Sequence, residues 1–159
     1  YDIAVTPMDD PMTIVIDAAD TTLSAGESYT VFALDVLATI TALVTSDDYR
    51  PVAGESKIRL VHGAASAGAV DVYLTAVGAD ISMETPEAVG VPFLADTGFG
   101  SFAAGMYDLT ITETGTTTVV IAATITLAEG GVYTAVARDP DPAVMMDTAG
   151  LILMDDFVP

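Results

Sequence analysis

The chain is 159 residues long, carries a formal net charge of −19 and is 52% hydrophobic. This charge repels phosphate backbones and therefore excludes nucleic acid as a partner. Cysteine is absent and histidine occurs once, which excludes disulfide scaffolds, thiolate zinc sites and multi-histidine metal motifs. Because the apolar fraction is too high for a disordered chain, the composition indicates one or two folded domains.

An internal repeat organises the chain. Three segments match in the same order in both copies: residues 1–6 with 107–112, 23–30 with 127–134, and 47–49 with 155–157. Only short insertions separate the copies, because the three offsets lie within a few residues of one another. We therefore predict residues 1–53 as the second half of a first β-sandwich repeat, and residues 54–159 as a complete second repeat.

Strand patterns recur along both copies. Ile58, Leu60 and His62 share one face of a predicted strand, and hydrophobic residues alternate with other residues from 70 to 75. The uninterrupted apolar and threonine run at 119–127 predicts a strand covered on both faces. Glycine and proline separate the predicted strands at intervals of roughly 8–12 residues. The expected fold is all-β, with tandem immunoglobulin-like antiparallel β-sandwich units of which the first is incomplete.

The pattern Leu-x-x-Gly-x-x-Tyr-Thr occurs twice, with Gly26 and Tyr29 in the first copy and Gly130 and Tyr133 in the second. It is typical of a tyrosine corner, in which the glycine permits the turn and the tyrosine hydroxyl bonds to nearby backbone. The alternative is an ordinary half-buried tyrosine at the start of each strand. In either case these four residues are expected to be structural.

A family resemblance rests on residues 59–73. The sequence Arg-Leu-Val-His at 59–62 and Val-Asp-Val-Tyr at 70–73 resembles the opening of the family called domain of unknown function 4397. The Gly-x-Tyr-x-Leu at 105–109 and the two corners are similar to later elements of that family, whereas residues 63–68 depart from its usual proline-containing pattern. The resemblance covers 57–159 and, through the repeat, 1–50. It implies tandem domains of bacterial or archaeal cell-surface and secreted proteins, and it implies no reaction.

The single histidine raises the question of a catalytic triad. His62, Ser66 and Asp71 lie near one another in the sequence, but nothing around the serine resembles a nucleophile elbow. We expect His62 to be a structural residue that bonds loop backbone or a carboxylate such as Asp71. No catalytic residue, and therefore no enzyme, is predicted.

Paired aspartates are the candidates for metal binding. Asp47 and Asp48 near the junction of the copies, and Asp139 and Asp141 further on, offer the oxygen ligands that Ca²⁺ prefers. The alternative is an acidic surface that keeps the protein in solution. No other cofactor is expected. The seven methionines are expected to fill gaps in the core.

The incomplete first repeat bears most directly on function, because half a sandwich exposes sheet edges and an apolar face. Three explanations stay open: the missing strands lie upstream, the first repeat packs onto the second, or a neighbouring subunit supplies the strands. No leader sequence is recognisable at the start, and no apolar stretch is long enough for a transmembrane segment.

We expect a non-catalytic extracellular structural protein, the subunit of a surface filament, appendage or matrix. Its subunits would join by β-strand complementation and apolar contacts, through self-association or with other surface proteins. The alternative is an adhesin-like binding module of a longer cell-surface protein, recognising glycan or protein, with Ca²⁺ as a stabilising ion.

Overall fold

The computed structural model of the chain describes residues 1–141 and 144–157. The chain divides into two compact units, Tyr1–Asp48 and Tyr49–Pro159. The last two residues of the second unit lie outside the described part. Each unit is considered by itself below.

The first unit contains two antiparallel two-stranded sheets. One pairs β1 (Ile3–Val5) with β2 (Ile16–Ala18), and the other pairs β3 (Ser28–Leu34) with β4 (Thr41–Asp47). Along β3, buried Phe32 and Leu34 alternate with exposed Val31 and Ala33, as the two-residue period of a strand requires.

The second unit contains two four-stranded sheets. One has the strand order β10-β9-β6-β7 and the other the order β12-β11-β5-β8. All neighbours are antiparallel except β5 and β11, which run parallel. The strands are β5 (Glu55–Gly63), β6 (Val70–Ala76), β7 (Ala88–Val91), β8 (Gly100–Ala103), β9 (Gly105–Glu113), β10 (Val119–Leu127), β11 (Val132–Arg138) and β12 (Gly150–Phe157). Two short 3-10 turns, Ala65–Ala67 and Ile81–Met83, interrupt the loops.

Alternating apolar residues of the two sheets form one core in the second unit. Val70, Val72 and Leu74 of β6 enter it from one sheet, and Ile58 and Leu60 of β5 enter it from the other. Because the core cluster contains side chains of both four-stranded sheets, they pack face to face as a β-sandwich.

The all-β fold class with antiparallel β-sandwich architecture is confirmed, whereas the tandem immunoglobulin-like detail stays a prediction. The expectation that 119–127 is covered on both faces is wrong. Ile121, Ile125 and Leu127 are buried, but Ala122 and Thr124 on the opposite face of this outer strand are exposed. In the part of the chain that the structure describes, no helix is long and apolar enough to cross a membrane.

Candidate interaction surface

The hairpin β3–β4 of the first unit and the hairpin β11–β12 of the second have the same pairing register. Tyr29 lies opposite Ser46, and its repeat counterpart Tyr133 lies opposite Asp155. The next five pairs follow in step in both hairpins. Each residue of β3 therefore has a defined counterpart on β11, while the partners on β12 are displaced by one residue from the sequence match of 47–49 with 155–157.

Each hairpin begins at a turn of the same construction. Gly26 and Gly130 have φ values of +86° and +73°, a region that favours glycine. The hydroxyl of Tyr29 accepts a hydrogen bond from the Ser24 N–H at 3.0 Å, and that of Tyr133 accepts one from the Ala128 N–H at 2.9 Å. The predicted corner residues thus lie together at one turn in each unit, with the hydroxyl as acceptor.

A second shared contact crosses each hairpin. Thr30 donates its hydroxyl hydrogen to the Asp47 carboxylate at 2.7 Å, and the counterpart Thr134 donates to Asp156 at 2.5 Å. In the second unit, the buried guanidinium of Arg59 on β5 adds an Nε hydrogen bond of 2.9 Å to the Thr134 hydroxyl. The predicted metal ligand Asp47 therefore makes the same cross-strand contact as Asp156. In the sequence repeat, Asp47 is matched instead with the neighbouring Asp155.

The hairpins differ in how far one face is covered. Tyr133, Ala135 and Ala137 of β11 belong to the sandwich core, and Ala135 has no exposed surface. The counterpart of Ala135 on β3 is Val31, which is 39% exposed, and Ala33 beside it is also exposed. We refer to Val31 and Ala33 of β3 as the open face. Sequence reasoning did not identify them, because the matched segment 23–30 ends one residue before Val31.

The first unit also contains a position whose burial matches that of its counterpart in the second unit. Ile16 on β2 is buried, as is its counterpart Ile121 on β10. The strand pairs β1–β2 and β9–β10 also share their register, with Val5 opposite Ile16 and Ile111 opposite Ile121. Other positions of the first unit are more exposed than their counterparts as well, since Ile3 and Val5 are half-buried whereas Leu109 and Ile111 are buried.

His62 lies at the end of β5 with no exposed surface. Its Nε2 is 2.7 Å from the Gly68 carbonyl oxygen, and its Nδ1 accepts a long hydrogen bond from the Ala64 N–H at 3.4 Å. The tautomer with the proton on Nε2 satisfies both contacts. Phe93 packs against the ring edge-on, with centroids 6.3 Å apart. The ring thus bonds loop backbone at both nitrogens.

Asp71 on β6 binds the backbone at two glycines, Gly90 within β7 and Gly115 in the turn between β9 and β10. Its carboxylate accepts hydrogen bonds of 2.8 Å from the N–H groups of Gly90 and Gly115, and only 3% of the residue is exposed. Burial alone would raise the pKa of Asp71. The hydrogen bonds from Gly115, Gly90 and the Thr114 side chain outweigh that effect and hold the pKa below its ordinary value. The two glycines, which sequence reasoning missed, are required here because both have positive φ.

Asp139 and Asp141, which follow β11 in the chain, have different hydrogen-bond partners. The Asp139 carboxylate accepts from the hydroxyl of Ser66 at 2.5 Å, while the backbone N–H of Asp141 donates to Asp147 at 2.7 Å. Asp147 also accepts from the Arg138 guanidinium at 2.6 Å, and this bond is the main reason why the pKa of Asp147 lies well below its ordinary value. Asp147 was not among the predicted residues.

Among the described residues, no group of three or more histidine, aspartate or glutamate side chains could hold a metal ion. Asp48, the other candidate at the junction, is half-buried just after β4. The calcium hypothesis for Asp47, Asp48, Asp139 and Asp141 stays a prediction, and no described cluster joins these carboxylates to other acidic groups.

The expectation that methionines fill the core is wrong for six of the seven. Met8, Met12, Met83 and Met106 are exposed, as are Met145 and Met146 in the connection between β11 and β12.

Val36 and Leu37 at the tip of β3–β4 are exposed too. Apolar residues therefore reach solvent at the same end of both repeat hairpins, although these connections differ in length.

Comparison with known proteins bears on the motif at residues 59–73. Among curated proteins, none matches this chain. The family model described as "Domain of unknown function (DUF4397)" matches residues 1–73, which include the Arg59, His62, Asp71 and Tyr73 motif. The description assigns no activity, and coverage of residues 74–159 stays a prediction. The predicted resemblance to this family is thus confirmed over residues 1–73.

Proposed function

We propose that this chain is a non-catalytic extracellular structural protein whose copies assemble through β-strand complementation and apolar contacts. The observation that carries the proposal is the exposure of Val31 and Ala33. Their counterparts Ala135 and Ala137 are core residues of a complete sandwich. A β-strand or apolar face from another copy would give the open face the cover that its counterpart already has.

The strand counts support the same contact. In the second unit, β11 pairs with β12 on one side and with β5 on the other. Its counterpart β3 belongs to a sheet that comprises β3 and β4 within the described part of the chain. An incoming strand would enlarge that sheet, and main-chain hydrogen bonds would supply affinity as in other strand additions.

Another copy has outer strands that could add to the β3–β4 sheet. The outer strands β7 and β12 carry Val89 and Ile152, which are 66% and 49% exposed. Contact between β3 of one copy and such an outer strand of the next joins two different surfaces. Contacts of this type repeat without closing unless the rotation between copies forms a ring, so they generate filaments.

The extracellular assignment rests on composition and on the family resemblance. A chain with a charge of −19 suits a saline exterior, and the resemblance carried by residues 59–73 implies a secreted or surface location. The non-catalytic assignment rests on the roles of the best candidates for chemistry. His62 and Asp71 are buried, and both bond to backbone groups of neighbouring loops.

The test compares wild-type protein with Val31→Asp across a wide concentration range, by sedimentation velocity and electron microscopy. The wild type is expected to form oligomers or filaments. Val31→Asp is expected to stay monomeric, because a buried contact would then have to desolvate a carboxylate. Circular dichroism checks that the variant is folded, which we expect because Val31 is exposed.

Val77→Asp is the matched control, since Val77 is equally apolar, is 55% exposed and lies in the turn that follows β6, outside the strands proposed to pair. It should assemble like the wild type. A wild-type protein that remains a 16.3 kDa monomer at the highest concentrations would contradict the proposal. Glycan or protein binding by that monomer would instead favour the adhesin-like alternative.

A further inference from the structure

The second unit contains a cavity of about 140 Å³ between its two sheets. Its floor and walls are apolar side chains from both sheets: Ile58, Leu60, Val72, Leu74, Leu109 and Ala135. The cavity is partly open to solvent and is large enough to hold a molecule bigger than water. It lies wholly within the second unit and does not involve the open face.

The cavity reaches the surface on one side of the sandwich. Glu87 and Ala88 at the start of β7 line it, as does the segment 97–100 that leads into β8. Glu87, Thr97 and Gly98 are exposed, whereas the residues at the floor are buried. A small molecule could therefore enter between these two segments and contact the core beyond them.

The aromatic rings at the entrance are held in place. Phe99 lies against the Arg59 guanidinium, 4.6 Å from the ring centroid, and Lys57 approaches the same ring at 5.4 Å. Phe102 packs edge-on against Tyr107, and a Cβ at Gly100 would lie 2.8 Å from its ring. Because glycine has no side chain, position 100 leaves room for the Phe102 ring beside the cavity.

The polar groups around the cavity already have protein partners. The Thr97 hydroxyl accepts from the Leu60 N–H at 2.9 Å and donates to the Gly98 carbonyl at 3.0 Å. The Arg59 Nε donates to Thr134 on the opposite face of the sheet. Glu87 at the entrance carries a negative charge, and the whole chain is strongly acidic. Arg59 also lines the cavity, and its guanidinium contacts Thr134, Phe99 and Asp96. Because these polar groups are engaged within the protein, the lining disfavours ligands that need several hydrogen bonds.

From volume and lining together, we infer that this cavity is a binding site for a small neutral apolar molecule, of the size of one aromatic ring or a short alkyl chain. An apolar protein cavity of about 150 Å³ is large enough to bind benzene. Such a ligand would be recognised by its shape and by apolar contacts, with Phe99 and Phe102 near the entrance and with aliphatic side chains at the floor.

Benzene is the probe for the test, with benzoate as its charged analogue. Two-dimensional ¹H–¹⁵N NMR of the full chain should show saturable benzene shifts at Leu60, Val72, Leu109 and Ala135. Benzoate should bind at least about tenfold more weakly, because its carboxylate would lose water without gaining a partner. Shifts confined to exposed apolar residues elsewhere, or absent in the folded protein, would overturn the inference.

Two variants with a larger side chain in the cavity, called the filled variants, and one control variant complete the experiment. Ala135→Leu places three more carbon atoms at the floor, and Ala88→Leu does so at the half-buried entrance in case the first variant does not fold. Ala122→Leu makes the same change on the exposed face of β10, away from the cavity. Benzene shifts should vanish in a folded filled variant and persist in the control. Unchanged binding in both filled variants would show that the site lies elsewhere.

Discussion

The carboxylate of Asp71 provides a sharp test of what holds the second unit together. It joins β6 to Gly90 on β7 and to Gly115 in the β9–β10 turn, which are 19 and 44 residues away in the chain. Asp71→Asn keeps the size and shape of the side chain but removes the charge. One of its two oxygens becomes an NH₂ group, which cannot accept a hydrogen bond from the N–H of Gly90 or Gly115.

The magnitude follows from the two bonds. Each is 2.8 Å long and has a charged acceptor, and such bonds contribute about 1.5–3 kcal/mol each. The variant keeps one bond in a weaker neutral form and leaves the other N–H facing a donor. We expect a loss of about 2–4 kcal/mol, which is a large part of the ~5–15 kcal/mol that stabilises a typical domain.

The pH dependence has a definite sign. The pKa of Asp71 is lowered in the folded state, so its ionised form stabilises the fold above the pKa of the unfolded chain, which is about 3.9. That contribution disappears as the pH falls through the lowered folded-state pKa. The stability difference between wild type and Asp71→Asn should therefore be full at neutral pH and should shrink in acid.

Urea unfolding at pH 7 and in acid, followed by circular dichroism and by NMR signals of the second unit, measures both effects. Asp80→Asn is the control, because Asp80 is an exposed carboxylate that accepts from the Ser82 N–H at 3.0 Å. It should change the urea midpoint far less. Equal midpoints for Asp71→Asn and the wild type at pH 7 would refute the role assigned to the two glycine contacts.

Three further changes test other contacts. Tyr133→Phe removes the acceptor of the Ala128 N–H, so the second unit should lose about 1 kcal/mol in urea unfolding, and an unchanged midpoint would contradict the corner's role. His62→Ala removes a fully buried ring and its bond to Gly68, with an expected cost of about 2–4 kcal/mol in thermal unfolding; a cost below that of a typical surface substitution would refute the packing argument. Gly115→Ala places a Cβ at a φ of +75° and should cost about 1 kcal/mol, whereas wild-type stability would mean that the turn relaxes freely.

The repeat predicted strand pairing better than it predicted burial. Matching residues such as Tyr29 and Tyr133 take the same place in their hairpins because register depends on local turns and on alternation along two adjacent strands. Burial depends on strands from distant parts of the chain. Val31 and Ala135 therefore share a position in the hairpin and differ in exposure.

The candidate sites show the same division between local and distant determinants. His62 was expected to bond either loop backbone or Asp71, and both of its ring nitrogens contact backbone only six and two residues away. The partners of Asp71 could not be predicted, because Gly90 and Gly115 reach it only after β7 and the β9–β10 hairpin have formed. The methionine error has a similar cause, since Met145 and Met146 lie in a connection without regular strand alternation.

The amino-acid composition of the solvent-facing sides of β3 and β10 supports the proposal that another chain covers the open face. On β10, the exposed side carries Ala122, Thr124 and Thr126, small or polar residues that suit contact with water. On β3, the exposed side carries Val31 and Ala33, while threonine lies on the other side. The exposed side of β10 therefore carries two threonines, whereas the exposed side of β3 carries none. This difference in composition, together with the shared register, favours a contact that buries Val31 over a purely solvent-facing role.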